Sequence, residues 1–273
     1  MKLSEYCDRK TNSFLNVEYD KVSKFIEYIN SKIDDDLYEI AKAKDSVGVY
    51  KKLVVWLLKC YSKELFDGLK YVEVDIDLFK KSLINSFILS VTRNKTNSGL
   101  IYDVLKANGI IEKMLVYEDN YYEIFTKDFG VIQFVLADEA FKNDKETLEY
   151  MKNMGDRVLS GCHDVSFYLI KEYEEFKAVT AICMRNLYGK YYHSFVLDDN
   201  DNVIDFTSNL VMPKEQYYSL NNVEEINCIS HKEYLEEKDK SIKFDESKTL
   251  FPLLRNALYK QYLLENDSNV KKM

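Results

Sequence analysis

The chain reads as an α+β protein in which a mainly helical N-terminal region precedes an antiparallel sheet that carries a packed helix. Two patterns and one scarcity predict this. From residue 19 to about 113, apolar residues recur three and four positions apart, the period of a helix with one buried face. Beyond 115, short segments alternate apolar and polar residues as half-buried strands do. Only 2 Pro and 8 Gly interrupt the 273 residues, which leaves long helices unbroken.

The elements follow in order. Val22, Phe25, Ile26 and Ile29 mark a first helix, and Val54, Leu57, Leu58 and Tyr61 a second. Leu78, Leu83, Phe87 and Ile88 mark a third; Ile101, Val104, Leu105 and Ile111 mark another, set off by the break Asn97-Ser98-Gly99. Residues 115–117 and 121–125 flank Glu118-Asp119-Asn120 as a hairpin. A helix followed by a hairpin is also the outline of a winged-helix unit, ending near residue 126. Residues 131–137 read as a strand and 144–154 as a helix with an acidic first turn, which stops at Gly155-Asp156. Residues 178–183, 192–197 and 203–206 read as three further strands, and the tail from 265 reads as frayed.

Composition narrows the function. A net charge of −8 opposes a nucleic-acid partner, because phosphate binding needs a basic surface, and the acidic hairpin tip opposes DNA contact there. No apolar run approaches the roughly 18 residues of a membrane span. Glu5, Asp8, Arg9 and Lys10 stand where a secretion signal needs an apolar stretch, so the expectation is a cytoplasmic protein, or one exported without an N-terminal signal. The five cysteines, Cys7, Cys60, Cys162, Cys183 and Cys228, are odd in number, scattered and free of any C-x-x-C pair. They suit neither a disulfide framework nor a zinc finger, so each thiol is taken singly and no cofactor or metal is expected.

One thiol has company. Ser160-Gly161 signals a turn, and Val165, Leu169, Ile170 and Tyr173 follow at helical spacing, which puts Cys162 on a helix's first turn. The partial positive charge there favours a thiolate nucleophile. The strand at 192–197 carries His193 and the strand at 203–206 carries Asp205. A turn over Asp198-Asp199-Asn200 pairs Leu197 with Asp201, and the same register sets His193 opposite Asp205 on one face. A carboxylate there can hold one imidazole nitrogen while the other addresses the thiol, the arrangement that activates a nucleophile. Asp205, lying between Ile204 and Phe206, is an ionisable group in an apolar strand and needs such a partner.

The segment from about 155 to 212 resembles the core of transglutaminase-like enzymes, a branch of the papain-like cysteine proteases. The resemblance lies in Cys162 with Ser166 one turn on, in H-S-F-V at 193–196 and in V-I-D-F-T at 203–207, similar to the H-x-W-V and V-x-D-P-T strings common there. Phe195 replaces the frequent Trp, and Phe206 the frequent Pro. The periodicity gives a mainly helical region over 1–115 with no assigned role, and the resemblance implies that the rest, 116–273, is a papain/transglutaminase-like catalytic domain. It implies a Cys162, His193, Asp205 triad acting on a protein or peptide substrate through a thioacyl intermediate. The backbone N–H of Cys162 is the expected first oxyanion donor and Gln133, upstream of the cysteine, a candidate second.

Peptide hydrolysis is the first expectation, with acyl transfer or deamidation by the same triad as the alternative. Two readings from other classes are a non-catalytic interaction module on the same fold and a winged-helix regulator using the N-terminal region. His163 is expected to be a surface residue of the first helical turn or a contributor to the site's electrostatics, and His231 has no assigned role. Cys162, His193 and Asp205 offer workable zinc ligand types, but no second Cys or His lies at ligand spacing.

Overall fold

The computed structural model describes residues 28–29, 31–32, 57–72, 75–93, 98–155, 161–185 and 189–240. The helix expected around Val22, Phe25 and Ile26 lies outside them except at Ile29, which is helical and buried. The helical residues 57–60 bury Leu57 and Leu58 as their spacing predicts, whereas Val54 is outside the described residues.

Among the described residues, the helices α1 (Ser62–Leu69), α2 (Ile76–Thr92) and α3 (Ser98–Ala107) lead into the sheet. The Asp75 side chain caps α2 by accepting from the N–H groups of Asp77 and Leu78, two of the donors a helix start leaves unpaired. Ser98 and Gly99, expected as part of a break, are the first residues of α3. That helix ends four residues before Ile111, which the periodicity had placed within it. Gly109, at φ +66°, takes the left-handed conformation that closes a helix, and the Gly109 and Ile110 N–H groups bond back to Lys106 and Leu105. Ile111 is instead the first residue of a strand.

Eight strands form one antiparallel sheet among the described residues. They are β1 (Ile111–Val116), β2 (Tyr121–Thr126), β3 (Val131–Val135), β4 (Lys177–Arg185), β5 (Gly189–Leu197), β6 (Asn202–Asp205), β7 (Leu210–Pro213) and β8 (Glu224–Ser230). Their spatial order is β1-β2-β3-β7-β6-β5-β4-β8. The expected hairpin over 115–125 is β1–β2, one end of this sheet. The strand expected over 131–137 stops at Val135, because Ala137 opens the short helix α4 (Ala137–Ala140). The expected helix over 144–154 is α5 (Lys145–Gly155), capped by Asp144, which accepts from the Thr147 N–H and hydroxyl.

Helices cover both faces. The remaining ones are α6 (Cys162–Glu172), α7 (Lys214–Asn221) and α8 (His231–Lys240). On one face Phe79 and Phe87 of α2, Leu105 of α3 and Leu220 of α7 pack in one cluster with Val179, Phe195 and Val203 of the strands. On the other, Val165, Leu169 and Ile170 of α6 and Tyr234 of α8 pack with Ala178, Val196 and Ile204. Neighbouring strand residues such as Phe195 and Val196 fall in different clusters, as the two-residue period of a strand requires. The α+β class, the antiparallel sheet and the cysteine-bearing helix packed on it are therefore all present. The boundary read at 115 falls inside β1, and the buried cluster runs without a seam from α2 into β5.

Candidate active site

Helix α6 begins where the sequence places it. Gly161 is its N-cap and Cys162 its first residue, with the acidic Asp164 in the first turn, where it complements the helix dipole. The Ser166 hydroxyl donates to the Cys162 carbonyl at 2.8 Å. Val165, Leu169 and Ile170 are buried, each contributing roughly 1.5–3 kcal/mol by leaving water, and they fix the helix against β4 and β5. Cys162 is half-buried, and its N–H belongs to the first turn, where helical backbone donors have no partner within the helix.

The three residues of the expected triad come together. The His193 imidazole lies beside the Cys162 side chain, close enough for the thiol to act on its titration. Its Nε2 lies 2.9 Å from Asp205 Oδ2, which leaves Nδ1 as the nitrogen for the thiol. Both members of the pair are buried, His193 with 8% and Asp205 with 2% of its surface exposed. Burial alone would push the His193 pKa down. The carboxylate of Asp205 and the neighbouring Cys162 outweigh it and raise the value to about 10. Burial likewise opposes the ionised form of Asp205, but the charge of His193 and the surrounding donors hold that carboxyl well below the usual range.

The register differs from the expected one by two residues. Asp198, expected as the first turn residue, extends the ladder: its N–H donates to the Asn202 carbonyl at 3.1 Å. Its side chain accepts from the N–H groups of Asn200 and Asn202, while Asp201, at φ +57°, makes the left-handed closing residue. This three-residue loop sits one position later than predicted. It pairs Leu197 with Val203 and Val196 with Ile204. His193 and Asp205 are thus diagonal rather than opposite. A shift of two preserves the face, and an imidazole spans the diagonal.

β6 ends at Asp205, not at Phe206. The Asp205 carboxylate caps a short 3-10 turn over Phe206–Ser208, and it accepts four donors in all. Oδ1 takes the Thr207 hydroxyl at 2.7 Å and the Ser208 N–H at 3.2 Å. Oδ2 takes His193 Nε2 and the Tyr217 hydroxyl, each at 2.9 Å. Thr207 has no expected role from the V-I-D-F-T string, and neither Ser208 nor Tyr217 is among the expected site residues. The D-F-T-S string does carry an Asp-capped turn signal. Tyr217 carried none, since it arrives through the fold on α7. The end of α2 braces this same turn: Arg93 donates to the Thr207 carbonyl at 2.9 Å, and Asn209 to the Thr92 carbonyl at 3.2 Å.

Gln133 does not belong to the site. It lies on β3, three strands from β5, about 14 Å by strand spacing. Its side-chain amide donates to Glu123 at 2.9 Å. Being upstream in sequence did not bring it near the cysteine, because β7 and β6 intervene. His163 is half-buried rather than a surface residue, with Nδ1 2.6 Å from the Ser194 hydroxyl. His231 Nδ1 donates to the Ile170 carbonyl at 2.6 Å, tying α8 to α6. Among the described residues no cluster of His, Cys, Asp and Glu could hold a metal ion, and no helix is long and apolar enough to cross a membrane.

No protein-family model matches the chain, and neither a curated protein nor a solved structure matches it.

Proposed function

We propose that this protein is a cysteine hydrolase of papain/transglutaminase type, a peptidase that works through a thioacyl intermediate on Cys162. One observation carries the reading: a half-buried thiol at a helix start stands beside an imidazole whose far nitrogen is bonded to a buried carboxylate. An imidazole held beside a thiol by a carboxylate is the arrangement that activates a nucleophile.

In this mechanism the Cys162 sulfur attacks the carbonyl carbon of a peptide bond, and the C–O π electrons move to oxygen. The Cys162 N–H donates to that oxyanion. The His193 imidazolium gives its proton to the leaving amine as the C–N bond breaks, which leaves a thioester. Neutral His193 then takes a proton from water, whose hydroxide displaces the sulfur and frees the carboxylic acid. Asp205 stays ionised and holds Nε2–H, so Nδ1 remains the nitrogen that exchanges protons.

Iodoacetamide labelling near pH 6, mapped by mass spectrometry, tests the reading. Cys162 should label ahead of the exposed Cys60 and Cys228, and His193→Ala should remove that preference. Turnover is then sought with a protein digest, with and without an added amine, which separates hydrolysis from acyl transfer. Equal labelling of all the thiols, or a protected Cys162, would sink the catalytic reading and leave a binding scaffold.

A further inference from the structure

Two consecutive pairs of residues meet at the start of α6: Cys162-His163 on the helix and His193-Ser194 on β5. Cys162 addresses His193, and His163 Nδ1 stands 2.6 Å from Ser194 Oγ. Consecutive strand residues point to opposite faces, so Ser194 lies on the α6 face of the sheet while His193 lies on the other. Consecutive helix residues point about 100° apart, which lets one helix start address both.

The hydroxyl under His163 belongs to a buried pair. Ser194 is directly opposite Thr180 across the β4–β5 ladder, and their hydroxyl oxygens are 2.9 Å apart. Both residues are almost fully buried, on a face otherwise built from Ala178, Val196 and Ile204. Apolar residues would fill such positions without the cost of burying hydroxyls. The pair is explained by what it holds: His163 completes a chain from the helix start to two strands.

We infer that His163 is a positioning residue, whose bond to Ser194 clamps the start of α6 against β5 and so sets the Cys162 sulfur at the His193 ring. This rests on the catalytic reading above. The chain is satisfied in either protonation state of His163. As a donor it gives Nδ1–H to Ser194, which gives its own proton to Thr180; as an acceptor it receives from Ser194, which receives from Thr180. The clamp therefore holds whether or not His163 is charged.

The test is the alkylation rate of Cys162, with the rate at Cys60 as internal reference and the melting temperature recorded for every variant. His163→Ala and Ser194→Ala should each slow Cys162 by roughly tenfold to a hundredfold, the scale of a misplaced reacting group. The double variant should be no slower than either single one, because both remove the same bond. His163→Asn, whose amide can reach the Nδ1 position, should restore the rate to within a few-fold; His163→Gln, whose amide reaches further, should not.

A purely structural role would lower the melting temperature and leave the rate of the folded protein alone. Folded single variants with a wild-type rate would overturn the clamp, as would additive losses in the double variant. Should the Ala variants not fold, equal rates for the Asn and Gln variants would overturn it. The catalytic reading is scored separately, by the wild-type preference for Cys162 and its loss in His193→Ala. A wild type without that preference overturns both.

Discussion

Tyr217 and His193 donate to the same oxygen of Asp205, each at 2.9 Å, from opposite sides in sequence and from different elements. The phenol and the imidazole together saturate Oδ2, and the Phe206–Ser208 turn saturates Oδ1. The carboxylate is thereby fixed in place by the fold itself. Tyr217→Phe keeps the ring, which packs 5.0 Å from Phe195, and deletes the bond to Asp205. It should destabilise the fold by roughly 1.5–3 kcal/mol, the range for hydrogen bonds to charged groups. Urea denaturation at neutral pH measures this.

Asp205→Asn should cost more than its small change in size suggests. Four donors converge on the carboxylate, and an amide offers only one oxygen while turning an NH2 group toward donors. At roughly 1–3 kcal/mol for each buried group left unsatisfied, the loss should exceed about 2 kcal/mol. The preference of iodoacetamide for Cys162 should fall with it. A variant of wild-type stability would contradict the four-donor geometry.

His193 makes stability depend on alkaline pH. Unfolded, its imidazole loses a proton near 6.5; folded, near 10. Across that window the folded state holds the extra proton, so its contribution is complete below 6.5 and is lost as pH rises through 10. The urea midpoint of the wild type should therefore fall between pH 7 and 10, and it should fall less in His193→Gln. On the acid side Asp205 acts in the opposite sense: its contribution is present above the ordinary value of 3.8 and is lost as pH falls below it.

Gln133→Ala should leave Cys162 labelling unchanged, because the amide serves Glu123 on the outer strands. A large loss of reactivity would contradict its placement on β3.

Much of this site was legible in the sequence because each part obeys a short-range rule. Cys162 follows a turn and precedes a helical period, while His193 and Asp205 sit in alternating strands. Their register slipped by two because Asp198 and Asp201 divide the turn's work by backbone conformation: one bonds as a strand end and the other goes left-handed. Residue identity did not reveal which would do which. Ile111 was read as helix because its spacing fits, and only the left-handed Gly109 ends that helix in time. Gln133 and Tyr217 failed in opposite directions for one reason. Strand order, not chain order, decides who meets Asp205, and β7 and α7, which settle that order, lay in a stretch with no clear period.

The brace between α2 and the Asp205 turn bears on how this protein can be dissected. A fragment beginning at residue 116 would lack Arg93 and the Thr92 carbonyl that hold Thr207 and Asn209. It would also remove Phe79, Phe87 and Leu105 from the buried cluster they share with Phe195, Val203 and Leu220. Trimming toward the segment that carries Cys162, His193 and Asp205 would remove the foundation of the site along with the part that looks dispensable. The leading helices are a wall of the same building.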